Sequence, residues 1–162
     1  HDLAASADGT MLASCGEDGY VRVWSMGHTT TADGTAVSAP SRHPIAERRG
    51  DDIRVGAGRA FCVAWCESVA ALAIGFESGD VAFLDADRNI DSGWECLRTR
   101  GVVHAHGDAV RGLAFHDGKK SLASCGDDGE YFFVNPTLLT VCPCDELCVF
   151  QVSQRCTLGN FP

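Results

Sequence analysis

No run of this chain approaches the roughly 18 to 20 apolar residues that span a bilayer, so nothing in it reads as a transmembrane helix. It also has no initiator methionine, no basic n-region and no signal peptide, and is expected to be a piece of a longer product. Positive charge is scarce: 13 Lys and Arg stand against 22 Asp and Glu, a net charge of -9. Such a chain repels phosphates and anionic lipid heads, so direct nucleic-acid binding and membrane-surface binding are not expected. Its one basic concentration, Arg42, Arg48, Arg49, Arg54 and Arg59, is interleaved with Glu47, Asp51 and Asp52. That mixture reads as a solvated loop rather than a binding arm. Regular cysteine spacing is missing too. The nine cysteines are an odd number with no framework pattern, which speaks against a disulfide scaffold and for a reducing compartment. Cys15 and Cys125 fall inside apolar strand patterns and are expected to pack as small hydrophobes.

What the chain does have is glycine. Eighteen among 162 residues exceed the usual share of about 7%. With 45% hydrophobic and 22% charged residues, this is the composition of a globular domain made of short strands and tight turns. The turns repeat. Residues 12–19, Leu-Ala-Ser-Cys-Gly-Glu-Asp-Gly, recur at 122–129 as Leu-Ala-Ser-Cys-Gly-Asp-Asp-Gly. Upstream, Leu3-Ala4 matches Leu113-Ala114, and Asp8-Gly9 matches Asp117-Gly118. A weaker copy lies between them: Val63-Ala64-Trp65, Leu72-Ala73 and Glu77-Ser78-Gly79. Gly19, Gly79 and Gly129 mark three equivalent turns.

Period-two alternation bounded by such turns predicts three short strands per copy. They are Asp2–Ala5, Met11–Cys15 and Tyr20–Ser25; then Phe61–Trp65, Leu72–Gly75 and Val81–Asp85; then Val110–Phe115, Ser121–Cys125 and Tyr131–Val134. Fourth, outer strands are expected near Ile53–Val55, Glu95–Arg100 and Leu138–Cys142.

Residues 12–25 resemble the second half of a WD repeat, with Trp24-Ser25 where that family usually has Trp-Asp. The resemblance covers residues 1 to about 135 and implies an all-β fold, a partial β-propeller of about three four-stranded antiparallel blades in an incomplete ring. The repeats run about 1–26, 60–87 and 104–135, with a long inter-blade loop over 27–58. Residues 136–162 are read as an outer strand followed by a tail, with the start of a further blade as the alternative. Gly19 and Gly79 are 60 positions apart and Gly79 and Gly129 are 50 apart, so both connections carry insertions on a repeat of ~40–45 residues. An arc of three blades leaves an apolar face open at each end, so this stretch alone is expected to be sticky or unstable.

The resemblance also implies a hydrogen-bonded set inside each blade: a tryptophan, a serine or threonine, a turn aspartate, and a histidine from the preceding loop. Copy one supplies Ser14, Asp18 and Trp24; its histidine would precede residue 1. Copy three supplies His106, Ser124 and Asp128, with Val134 where the tryptophan belongs. Copy two has Ile74, Ser78 and Leu84 at the three corresponding positions, so its blade is expected to rest on apolar packing instead. Serine, histidine and aspartate invite a hydrolase reading, but no nucleophile elbow is present and the spacing is that of the structural set. Cys142, Cys144, Cys148 and Cys156 could supply four thiolates to zinc. Their spacing lacks the two close pairs zinc sites usually show, and packing cysteines are the better reading.

No catalytic residue, cofactor or metal is therefore expected. The family implies a non-catalytic scaffold that binds other proteins as a subunit of an intracellular complex, in the cytoplasm or nucleus. A chromatin- or RNA-associated propeller subunit is the alternative, and a propeller-shaped enzyme a more remote one.

Overall fold

The computed structural model describes residues 1–27, 40–67, 70–86, 97–116, 121–134 and 155–157. Among the described residues the strands form three four-stranded sheets, each a plain antiparallel meander. The first holds β1 (Asp2–Ala5), β2 (Met11–Cys15), β3 (Tyr20–Ser25) and β4 (Ala46–Arg49). The second holds β5 (Ala60–Cys66), β6 (Ala71–Phe76), β7 (Asp80–Asp85) and β8 (Thr99–His104). The third holds β9 (Val110–His116), β10 (Ser121–Gly126), β11 (Glu130–Val134) and β12 (Arg155–Thr157). The repeat is visible in register: Leu12 faces Trp24 as Leu72 faces Leu84 and Leu122 faces Val134.

Two apolar seams join the sheets. Met11, Ala13, Cys15, Val21 and Val23 of the first pack on Val63, Leu72, Ile74 and Leu84 of the second. The opposite face of the second, with Ala73, Val81 and Phe83, packs on Leu122, Phe132 and Val134 of the third. The middle sheet is thus covered on both sides. That is why β6 reads Ala-Leu-Ala-Ile-Gly-Phe without a polar residue, whereas β2 alternates between buried and half-buried positions. Polar stitches cross the first seam. The Trp65 indole N–H donates to the Ala4 carbonyl at 2.7 Å, and the Val63 N–H donates to Asp2 Oδ2 at 3.0 Å.

The outer strands differ from expectation. Ile53–Val55 is not the fourth strand of the first sheet. Ala46–Arg49 pairs with β3 instead, and Gly50–Ile53 is a single helical turn, α1. Asp51 and Asp52 occupy its first turn, where carboxylates complement the exposed N–H groups. Ile53 buries against the first seam while Val55 is left 89% exposed. Residues 40–58 are therefore not simply part of a long loop: they hold a strand and a helical turn. Only Ala46 of β4 is buried, so the strand carries almost no hydrophobic signal to read. In the second sheet the outer strand begins at Thr99, its register set by Val81 facing Val103 and Ala82 facing Val102. The expected strand Leu138–Cys142 lies outside the described residues; Arg155–Thr157 pairs with β11.

Cys125 is exposed rather than packed, because it lies on the face of β10 turned away from the second sheet. Cys15, Cys62 and Cys66 are buried. Burial pushes the Cys15 thiol up to about 11 and the Cys62 thiol up to about 12. Iodoacetamide at pH 8 should therefore alkylate Cys125 well before these three, as peptide mapping can check. Equal labelling of Cys15 and Cys125 would contradict the packing. No helix among the described residues is long and apolar enough to cross a membrane.

Candidate functional site

The polar residues singled out from the repeat come together in two of the three blades. In the first, the Trp24 indole N–H donates to Ser14 Oγ at 3.0 Å across the β2–β3 pair. Asp18 does not join them. It caps its own turn through the Tyr20 N–H at 3.1 Å and holds the Arg22 guanidinium at 2.6 Å, which also reaches Glu47 at 3.1 Å. Burial works against the Asp18 charge, but these donors and the Arg22 charge outweigh it and hold the carboxyl below its ordinary value.

The third blade is closed. His106, on the connector between β8 and β9, is fully buried, and Ser124 is 3% exposed. His106 Nδ1 lies 3.0 Å from Asp128 Oδ1, and its Nε2 lies 2.9 Å from Ser124 Oγ. A neutral ring protonated at Nδ1 satisfies both contacts: it donates to the carboxylate and accepts from the serine hydroxyl. Phe132 packs edge-on against the ring at 4.8 Å. Val134 faces Leu122 where the tryptophan belongs, and both are buried in the second seam. Asp128 also accepts the Gly107 N–H at 2.8 Å and the Glu130 N–H at 3.0 Å.

Partial burial raises the Asp128 pKa, yet the Glu130 and Gly107 N–H bonds and His106 more than reverse this and leave it lowered. A carboxyl depressed in the folded state stabilises the fold above its unfolded pKa, and that stability is lost as pH falls through the folded value. The urea midpoint should therefore drop as pH falls below about 3.8, the ordinary aspartate value, and drop less steeply in Asp128→Asn. Parallel profiles for the two proteins would rule this out.

The second blade was expected to rest on apolar packing at Ile74, Ser78 and Leu84. Ile74 and Leu84 are indeed fully buried in the first seam. Beside them lies a polar set that the repeat did not point to. Asp80 is 3% exposed. Its Oδ2 accepts Arg54 Nε at 3.1 Å and the Ser78 hydroxyl at 2.9 Å, and its Oδ1 meets His104 Nδ1 at 2.9 Å. The signal was faint: Asp80 stands where the other copies have Tyr20 and Glu130, so comparing copies assigns it no role.

The sealed sets lie beneath one rim of the arc. This rim carries the three glycine turns, the connector over 50–59, the connector over 104–109, and the starts of β5 and β9. On it the Arg111 guanidinium sits 4.3 Å above the Phe61 ring and holds Asp127 at 2.6 Å. Arg59 lies 3.7 Å from both Glu17 and Glu77. Arg48, Arg49 and Arg54 of the basic stretch are engaged as well. Arg48 donates to the carbonyls of Leu97 and Asp52, and Arg49 lies over Tyr20. Among the described residues no group of three His, Cys, Asp or Glu is placed to hold a metal ion. The thiols at 142, 144 and 148 lie outside the described residues, and Cys156 falls on β12.

The model of the WD domain, G-beta repeat, matches residues 1–25 and 94–130, passing over the copy that departs most from the pattern. Striatin-4 of Mus musculus is 27% identical over 140 residues, and striatin-4 of Homo sapiens 26% over 136. Each alignment covers 83% of this chain and 17% of the relative, so the chain spans about a sixth of the curated proteins it matches. Sqt1 of Chaetomium thermophilum, solved bound to the N-terminus of the ribosomal protein L10, superposes with a TM-score of 0.69 at 19% identity. That superposition covers 96% of this chain and 35% of Sqt1. The WD40 domain of Toxoplasma gondii coronin gives 0.66 at 22% identity, over 96% and 33%. At these identities the likeness is one of fold.

Proposed function

Since this chain is a three-blade part of a WD-repeat β-propeller, we propose that it serves as a non-catalytic scaffold that docks another protein on the described rim, as a subunit of an intracellular complex in the cytoplasm or nucleus. The observation that carries this reading is the closure of the His106, Ser124 and Asp128 set. It has the residue types of a hydrolase, but the hydroxyl and the ring are buried and spent on each other. A reacting carbonyl needs an open nucleophile beside a site for its oxyanion; here the chemistry-bearing groups hold the blade, and loops are what face solvent. Sqt1, bound to the N-terminus of the ribosomal protein L10, is an example of a protein partner held by this fold. The arginines from 48 to 59 are engaged by carboxylates, carbonyls and an aromatic ring. This favours a protein partner over a nucleic-acid backbone, as does the overall acidity.

The test is affinity purification from cells of the full-length protein, with and without Arg111→Gln on the rim. Arg111 is half exposed, so its replacement should leave the melting temperature nearly unchanged while depleting the bound proteins. Equal recovery by both forms would sink the rim as the docking face. Recovery of no protein by the unaltered form would sink the scaffold reading itself.

A further inference from the structure

We propose that Asp80 is a positioning residue that couples the two connectors flanking the second blade, so that residues 50–59 and 104–109 hold or loosen together. Its carboxylate is a two-ended bracket. Oδ2 accepts from Arg54, on the connector that enters the blade, and Oδ1 meets His104, which opens the connector that leaves it. Arg54 and His104 are 50 positions apart and both meet this one buried group. The Arg54 and His104 ends are open to solvent, with side-chain exposures of 38% and 63%, while the Asp80 side chain is 5% exposed. A buried carboxylate that loses one partner is left poorly compensated, so release of either connector changes the environment of the other.

The glycine turn between the connectors has the same two-sided arrangement. On one side the Ser78 N–H donates to the Ala57 carbonyl at 3.2 Å and the Glu77 N–H to Arg59 at 2.9 Å. On the other, the Gly79 carbonyl accepts the N–H groups of Ala105 and His106 at 3.1 and 3.0 Å. Ile53 and Ala57 of the entering connector are buried in the first seam, and His106 of the leaving connector holds the third blade. Asp80 therefore stands at the point where the rim elements of all three blades are tied to one charge. The adjacent carboxylates Glu77, Asp108, Asp127 and Asp128 are outside this contact. Arg111 takes Asp127, and His106 with two backbone N–H groups takes Asp128.

Residue-resolved amide hydrogen exchange on the full chain tests the coupling. Arg54→Gln is expected to speed exchange about tenfold at Ala105 and His106, which Arg54 does not touch, and His104→Gln to do the same at Ala57. Protection in β6 should be retained, and Arg54→Lys, which keeps the charge, should restore protection at Ala105. Asp80→Asn should loosen both connectors; if that variant does not fold, the two substitutions at the exposed ends still decide the matter. Faster exchange confined to the connector that carries each substitution would overturn the proposal. So would loss of protection that extends through β6, which reports unfolding of the whole blade. The readout is exchange and not binding, so its failure is distinct from failure of the docking reading.

Discussion

Gly79→Ala is expected to cost more than about 3 kcal/mol of stability, whereas the same substitution at Gly129 should cost only about 1 to 2 kcal/mol. Gly19, Gly79 and Gly129 occupy the same turn position in three successive blades, with φ of +73°, +84° and +75°. An L side chain pays for that left-handed conformation at any of the three. What differs is the neighbourhood. Around Gly129 a Cβ would meet nothing within 4 Å. At Gly79 it would lie 2.1 Å from the His106 carbonyl oxygen and 2.9 Å from that of Asp108. Those are backbone atoms of the connector that Gly79 itself binds, so relief requires breaking the Ala105 and His106 contacts. Urea denaturation of both variants measures the difference. Midpoints displaced equally at the two positions would show that the connector does not pack on the turn as described.

His106→Ala should be the most damaging change among the polar residues, at about 3 kcal/mol. It removes a fully buried ring that packs on Phe132, and it strips the Ser124 hydroxyl of its partner inside the blade. A buried polar group left unpaired costs about 1–3 kcal/mol, and the cavity adds to that. Asp128 is less affected because it keeps the Gly107 and Glu130 N–H groups. Ser14→Ala is the useful contrast. Ser14 and Trp24 are half-buried on the open face of the first blade, where water can replace the lost partner of the indole N–H, so the expected cost is about 1 kcal/mol. If thermal unfolding showed His106→Ala to be no worse than Ser14→Ala, the closed character of the third blade's set would be refuted. Both measurements need the chain kept dilute, since Leu3 and Phe133 on the two end blades are exposed to 64% and 39%.

Much of the site could be read directly because the chain repeats. Ser14 and Asp18 recur as Ser124 and Asp128, and the meander carries each to the same place in its blade, whereas Trp24 and His106 were marked by the resemblance to WD repeats and not by repetition within the chain. Asp18 was legible as a turn residue but not in its partner. Arg22 lies four positions on, and only the extended β3 brings its guanidinium back over the turn. Cys125 shows the limit of a pattern read on one strand. Alternation says that it faces away from Ser124, but not which face of the sheet a neighbour covers.

The sequence by itself determined the all-β class, the three units, nine strands to within a residue or two at each end and the three turn glycines. These are local properties: strand period, turn chemistry and repetition are all written within about ten residues. Only the tertiary structure decided that residues 46–49 and 99–104 complete their blades, for outer strands pair through backbone and need no apolar stripe. It alone decided that the middle blade is covered on both faces, and that the apolar substitutions there sit beside a buried carboxylate held by Arg54 and His104. Burial of a charge depends on which distant segments converge around it, and Asp80 meets partners 26 and 24 positions away on opposite sides of its turn. No spacing along the chain encodes that convergence.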